Sequence, residues 1–346
     1  MGTSPKGAYR QLPAGSPGIN WVLLQRKRVD RRDRRIKFIE VALERNRLRA
    51  DEAEQLAGKV GFYQTAVFGR LGRAALRALY RRARFGGSAL TVDLRAALQA
   101  ILFMLKHAPP RQVCTTFREE PRPAMYADAF FEVDGVNRGF SYFDANPLEK
   151  DKISARSSNG WGIVLVRREH ANICARGSLP QGVMAKMKSK KTYIFFLETL
   201  AQCLGAWLFE KELGDTYWAF IDNEGARYSL LKGYSRDQDA NAIISLFWGH
   251  AAMCKTAPWF ERVPSAAQLA DGVSRDDWEL PFAQGWLRIE PNFDGLWDIL
   301  FDMIGSGHIA GPSHIQAVRH WAKQQRREHP PMTVGVPVDS RSALEP

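Results

Sequence analysis

A chain of 346 residues has room for two domains or for one large domain with appendages, and 45% hydrophobic residues supply ample core material. Its formal net charge of +12 and pI of about 9.7 favour polyanionic partners, nucleic acid first among them. The four cysteines, Cys114, Cys174, Cys203 and Cys254, form no C-x-x-C pair. The seven histidines do not cluster at ligand spacing, and the nearest pair, His308 and His314, sits in a Gly- and Ser-rich stretch. A zinc ribbon or disulfide framework is therefore not expected, and the pattern fits a reducing compartment. No apolar run reaches the roughly 18–20 residues of a membrane span. Nuclear or cytoplasmic residence is the expectation, without secretion and without a membrane partner.

In chain order, Met1 to Ile19 is rich in Gly, Pro and Ser and has no apolar stretch of the kind a signal peptide needs. Residues 1–30 are expected to form a disordered basic lead. The string Arg26 to Lys37 (RKRVDRRDRRIK) suits a nuclear-localisation signal, a nucleic-acid arm or a solvated helix start equally. Residues 31–110 read as an all-helical region. A first helix follows from Ile36, Ile39, Ala42 and Leu43. A second starts near Ala50-Asp51-Glu52, with Gly58 or Gly61 as a breaker. A third spans Ala66 to Arg84, where Arg70, Arg73, Arg77, Arg81 and Arg84 share one face and no acid interrupts. Arg70, Arg73, Arg77 and Arg81 are candidate phosphate contacts, against the plainer reading of a solvated outer face. A fourth helix covers Asp93 to His107, closed by Pro109-Pro110.

Beyond Pro123 the texture changes. Strands are expected at Tyr126–Val133, Trp161–Val166 and Ala171–Ala175, with residues 134–159 as a polar connection. Lys190 to Leu213 predicts a long amphipathic helix with Thr192 as a possible N-cap. Tyr217 to Ile221 (YWAFI) predicts a strand covered on both faces. Helices at Glu224–Leu231 and Asp239–Cys254, a strand at Trp259–Val263 and a short helix at Ala266–Ser274 complete a mixed sheet flanked by helices. Residues 281–346 read as a helical appendage, with helices near Gly295–Ile304 and Ile315–Gln325, followed by a polar tail.

Several acids stand where local preference would not put them. Asp128 lies inside a strand pattern from which Asp is usually depleted. Asp222 ends the apolar run, at the carboxyl end of a strand, where sites gather in α/β sheets. Glu198 is embedded among Ile194, Phe195, Phe196, Leu197 and Leu200 and would need a partner if ionised. Asp271 opens the last helix of the region. Each has an ordinary alternative: a turn residue for Asp222, a solvated helix position for Asp271, and a lysine pair (Lys191 or Lys211) for Glu198.

Taken in order, Ala127-Asp128-Ala129, Leu197-Glu198, Ile221-Asp222-Asn223 and Ala270-Asp271 resemble the acids of a ribonuclease H-like domain. Such a domain carries an Asp in its first strand, a Glu in the helix after the third, an Asp ending the fourth and an Asp in its final helix. The strings Arg262-Val263-Pro264-Ser265-Ala266-Ala267 and Leu269-Ala270-Asp271-Gly272-Val273-Ser274-Arg275 are similar to the retroelement reverse-transcriptase branch. The upstream Ala53-x-x-Leu56-Ala57-Gly58-Lys59 and Phe68-Gly69-Arg70 resemble the thumb or connection that precedes it.

The resemblance implies an α/β, ribonuclease H-like mixed five-stranded sheet over residues 120–280. It also implies an endonuclease hydrolysing the RNA strand of RNA–DNA hybrids. Asp128, Glu198, Asp222 and Asp271 would hold two Mg²⁺ (or Mn²⁺) ions, Asn223 would join the arginines as a nucleic-acid contact, and no small-molecule cofactor is implied. A catalytically inactive nucleic-acid-binding module on the same fold is the alternative. A transposase or integrase fits less well, because there the last acid is usually a Glu. Residues 259–271 lack the histidine that many relatives place before the last Asp, and there is no Tyr-x-Asp-Asp polymerase motif, so the palm that would synthesise DNA is not in this chain.

Overall fold

The computed structural model describes residues 17–64, 67–109, 122–133, 157–187, 193–306 and 308–333, with side chains from residue 31 onward. Helix α1 spans Pro17–Glu44. It therefore starts well inside the lead expected to be disordered. Proline is at home in a first helical turn, and the apolar Trp21-Val22-Leu23-Leu24 that follows Gly18 and Asn20 continues the helix. Residues 1–16 lie outside the described residues.

Helix α2 (Ala50–Tyr63) is opened by Asp51 and Glu52, and the Arg49 amide donates to Glu52 Oε2 at 2.8 Å. Neither Gly58 nor Gly61 breaks it. Burial of Ala53, Leu56, Ala57 and Val60 outweighs the roughly 1 kcal/mol by which each glycine disfavours a helix. Helix α3 is Arg73–Phe85, shorter than expected. Gly69 and Gly72 take φ of 63° and 79°, a left-handed turn that keeps Arg70 off the helix. Helix α4 (Val92–His107) is capped by Thr91, whose hydroxyl accepts from the Leu94 amide at 3.3 Å. These helices share one apolar core that includes Ile39, Leu48, Leu79, Leu98 and Ile101.

The sheet follows. Strands β1 (Ala124–Val133), β2 (Ser157–Val166) and β3 (Ile173–Gly177) form an antiparallel meander. Helix α5 (Gln181–Lys186), unforeseen from the sequence, leads to α6 (Ile194–Leu208) and the single turn α7 (Glu210–Leu213). Thr192 lies outside the described residues, and Tyr193 occupies the N-cap of α6. Strand β4 (Thr216–Ile221) adds parallel to β1, and after α8 (Glu224–Lys232) and α9 (Gln238–Cys254) strand β5 (Ala257–Arg262) adds parallel to β4. Then come α10 (Ala270–Ser274), α11 (Glu279–Ala283), β6 (Leu287–Arg288), α12 (Asp294–Met303), α13 (Pro312–Glu328) and β7 (Met332–Thr333). The sheet order is β5-β4-β1-β2-β3-β6-β7.

Three expectations need correcting. The sheet has seven strands, because β6 and β7 extend the β3 edge. Residues beyond 281 are not an appendage: Leu296, Trp297, Leu300, Ile315, Val318 and Trp321 belong to the main core, and Phe293 meets Trp161 edge-on at 4.9 Å. Strand β4 is not covered on both faces. Tyr217, Ala219 and Ile221 are buried against helices, whereas Trp218 and Phe220 are half-buried and share their face with aromatic neighbours, Phe220 stacking on Tyr126 at 4.6 Å.

Helix α6 is buried from Phe196 to Leu208, enclosed by the sheet on one side and by α8, α9 and α13 on the other. The short α10 crosses the opposite face and packs on β1, β2 and β3 through Ala270 and Val273. Its approach depends on Gly162. A Cβ there would stand 2.7 Å from the Ala270 carbonyl oxygen and closer still to the Ser274 amide nitrogen. Gly162→Ala should therefore push α10 off the sheet and cost about 1–3 kcal/mol, the usual range for overpacking. Denaturant unfolding with amide exchange over residues 270–274 measures it. Unchanged stability and protection would show that α10 does not need the glycine.

Candidate active site

Asp128, Glu198 and Asp222 are brought together. Each presents a carboxylate oxygen within 4.8 Å of the others. Asp128 projects from β1 opposite Gly162 of β2. Asp222 directly follows β4, the parallel neighbour of β1. Glu198 comes from the second turn of α6 and is buried.

Neutral donors fix these groups. Ser274 Oγ of α10 donates to Asp128 Oδ2 at 3.2 Å, Asn223 Nδ2 to Glu198 Oε1 at 3.2 Å and Ser265 Oγ to Asp222 Oδ2 at 3.3 Å. Two buried oxygens, Glu198 Oε2 and Asp222 Oδ1, accept no hydrogen bond among the described residues. Gln202, one turn beyond Glu198, donates to the Phe220 carbonyl at 2.8 Å and reaches the Ala127 carbonyl at 3.5 Å. Gln268 also donates to the Ala127 carbonyl, at 3.2 Å. The two amides thus tie α6 and the segment before α10 to the backbones that carry Asp128 and Asp222.

The electrostatics follow from this crowding. Burial, then the charges of Asp222 and Asp271, raise Asp128 to about 7, against the opposing Ser274 hydroxyl and Ala129 amide. Burial and the same kind of neighbour, Asp222 and Asp128, hold Glu198 well above the ordinary carboxylate range despite the Asn223 hydrogen bond.

Asp271 is near enough for its charge to bear on Asp128 but stands outside the convergent trio. Its side chain is 52% exposed and pairs with Arg275 at 3.2 Å. Arg275 also reaches Glu132 at 3.3 Å and lies 5.5 Å over the Phe130 ring. Asn223 is the N-cap of α8, accepting from the Ala226 amide at 3.1 Å, and its amide nitrogen is turned to Glu198.

Two arginines of the expected phosphate-binding stripe, Arg70 and Arg77, reach backbone carbonyls elsewhere in the fold, whereas Arg81 is exposed. Arg70 Nε donates to the Leu231 carbonyl at 2.9 Å, and Arg77 donates to the carbonyls of Ser235 and Arg236. Arg81 pairs with Asp93 at 2.7 Å. Arg73 is half-buried on α3. Arg70 thus ties the helical region to α8 and Arg77 ties it to the α8–α9 connection, which their shared face alone did not reveal. A separate basic cleft of about 380 Å³ lies between α1 and α2, lined by Arg31, Arg34, Arg35, Lys59 and Phe38 with Glu52, Gln55 and Leu56. Arg35 Nε is buried there and makes no hydrogen bond among the described residues.

Sequence reasoning gave no role to Gln202, Gln268, Ser265 or Ser274. Gln202 had a signal: it lies four residues after Glu198, on the same face of a helix too apolar to hold a stray amide. Comparison with protein-family models, curated proteins and solved structures gives no match for this chain.

Because the folded-state pKa of Asp128 is raised above its unfolded value, the folded form holds its proton longer. The associated stability is full below about pH 4 and disappears as pH rises through about 7. Glu198 adds to the trend in the same direction. In chelator, thermal unfolding should show stability falling over that window, by at most about 1.4 kcal/mol per pH unit for each proton. Asp128→Asn should flatten the slope and raise Tm at neutral pH. An Asp128→Asn curve parallel to the wild type would contradict this electrostatic picture.

Proposed function

We propose that the chain is a metal-dependent nuclease of the ribonuclease H-like class that hydrolyses the RNA strand of RNA–DNA hybrids, as a retroelement-derived unit without the polymerase palm. The observation that carries this reading is the convergence of Asp128, Glu198 and Asp222 with two buried carboxylate oxygens left without donors. Oxygens in that condition call for a cation, because unpaired burial of charge is costly. Hard carboxylate oxygens suit Mg²⁺ or Mn²⁺. The first three acids also fall on a strand, a helix and a strand end in the order of the resemblance, and Asp271 falls on α10, with α11, α12 and α13 after it.

Bound at such a site, a pair of divalent ions supplies an activated water and stabilisation of the leaving oxygen. The chain's own residues position the reaction. Asp128 and Asp222, on neighbouring parallel strands, hold the central ligand oxygens. Glu198, steadied by Asn223, supplies a third carboxylate from the side of α6. Asp271, at the rim and paired with Arg275, would be the remaining carboxylate for a second ion. Ser274 and the two glutamines keep the carboxylates at fixed separation.

The polyanion would be gathered by a chain of net charge +12, with the α1–α2 cleft, lined by Arg31, Arg34, Arg35 and Lys59, as one basic feature able to meet it. Joint replacement of Arg31, Arg35 and Lys59 by Gln should lower the salt dependence of hybrid binding. On B-DNA, each phosphate that a protein ceases to neutralise reduces the log–log slope by about 0.9. A slope unchanged by the triple substitution would remove the cleft from the interface.

The decisive experiment is cleavage of a labelled RNA–DNA hybrid with Mg²⁺, Mn²⁺ or chelator, by the wild type and by Asp222→Asn. The substitution keeps size and removes the charge that holds metal. Cleavage should fall by several orders of magnitude, while hybrid binding without metal persists or tightens. A wild type that leaves the hybrid intact with either ion would favour the non-catalytic binding module. Cleavage that survives Asp222→Asn would place the active site elsewhere.

A further inference from the structure

A second convergent group lies away from the carboxylates. Glu210 of α7 and His250 and Cys254 of α9 each bring one ligand atom within 4.8 Å of the others. Glu210 follows Glu198 by twelve residues, roughly 18 Å at helical rise, so the two groups sit at opposite ends of α6. His250 and Cys254 are four residues apart and share a face of α9. The sequence offers this His-x-x-x-Cys spacing in plain view, but the third ligand comes from a different element and hides the set.

The three ligand atoms converge, with Cys254 Sγ beside the His250 ring, 3.7 Å from Nε2 and 3.9 Å from Nδ1. His250 Nε2 stands 3.0 Å from Glu210 Oε2 and 3.7 Å from Cys254 Sγ. Glu210 Oε2 is buried and pairs with the imidazole across that 3.0 Å, with the Cys254 thiol also within reach of the Glu210 carboxylate. A tetrahedral zinc ion with ordinary bond lengths sets nitrogen and sulfur about 3.6 Å apart, and nitrogen and carboxylate oxygen about 3.4 Å apart. Those two separations lie within about 0.4 Å of the corresponding edges, and a zinc ion on Nε2 would draw Cys254 Sγ away from its place beside the ring. The donor set of thiolate, imidazole and carboxylate suits Zn²⁺ better than Mg²⁺ or Ca²⁺, which prefer oxygen. The carbonyl ends of α9 add partial negative charge at the same place. Arg319 and Arg326 of α13 oppose a cation there, and Glu210 together with a Cys254 thiolate offsets them.

We infer that Glu210, His250 and Cys254 form a zinc site that fastens α7 to the end of α9, independently of the carboxylate site. With three protein ligands, the fourth position is left to water.

The test uses the full chain carrying Asp222→Asn, so that the carboxylate site contributes little to metal binding. It is stripped with chelator and then titrated with Zn²⁺ or Co²⁺. Zinc should bind stoichiometrically and raise Tm, and Co²⁺ should give a thiolate charge-transfer absorption in the near ultraviolet. Cys254→Ser, a near-isosteric change, should abolish the absorption and weaken zinc binding at least tenfold. If Co²⁺ gives no such band and zinc leaves Tm unmoved, the cluster is only a Glu–His ion pair beside a thiol, and the inference fails. It fails equally if Cys254→Ser binds zinc as the parent does. Neither result bears on hybrid cleavage, so this site and the nuclease reading stand or fall separately.

Discussion

Like charge held at short range is the constraint around which the sheet domain is arranged. Asp128, Glu198 and Asp222 meet within 4.8 Å, and their donors Ser274, Asn223 and Ser265 are all neutral. Two ionised carboxylates at that spacing repel by about 3 kcal/mol at an effective dielectric near 20. Such a group relaxes apart unless its carriers are rigid. Here the carriers are the adjacent parallel strands β1 and β4 and a helix buried from Phe196 to Leu208. The Gln202 and Gln268 amides lock those carriers to one another through backbone carbonyls. Repulsion is then relieved by proton uptake or by a cation, not by movement.

The same logic explains the small residues around the site. Gly162 faces Asp128 across the β1–β2 ladder and lets α10 lie against the sheet. Gly160, in the same strand, would meet the Ser274 carbonyl if it carried a Cβ. Without these two positions Ser274 could not reach Asp128, and Asp271 would not stand close enough to influence it. A pair of glycines in β2, on either side of Trp161, thus sets the height of a helix above an acid.

Much of this was legible in the residues. Most of the strands from β1 to β5, and α6, α8, α9, α12 and α13, follow from apolar period and cap chemistry, and Asp128, Glu198 and Asp222 announced themselves by sitting where local preference forbids them. What stayed hidden was whatever depends on a distant partner. The arginines near α3 have the spacing of a phosphate-binding face, yet Arg70 and Arg77 answer carbonyls more than 150 residues away in the chain. Period alone cannot tell a solvated face from one that another element will cover. Strand β4 misled in the opposite sense: five apolar residues suggested two covered faces, and aromatic stacking with Tyr126 took the place of a covering helix. Strands β6 and β7, two residues each, carry too little pattern to be read at all.

The last fifty described residues also change what counts as the unit. Trp321 donates to the Asn292 carbonyl at 2.8 Å, and the Asn292 amide donates to Gln325 at 2.7 Å, so α13 is stitched to the approach to α12 by polar bonds as well as apolar packing. Both helices cover ground that a chain cut near residue 280 would leave wet: Trp161 opposite Phe293, and the sides of α6 and α9 that α13 lies against. A fragment ending there would retain every acid of the carboxylate site and yet expose a broad apolar patch of the sort that drives aggregation. For expression, fusion or recombination, the portable piece extends through residue 333, and a boundary drawn around the acids alone would sever the chain inside its own interior.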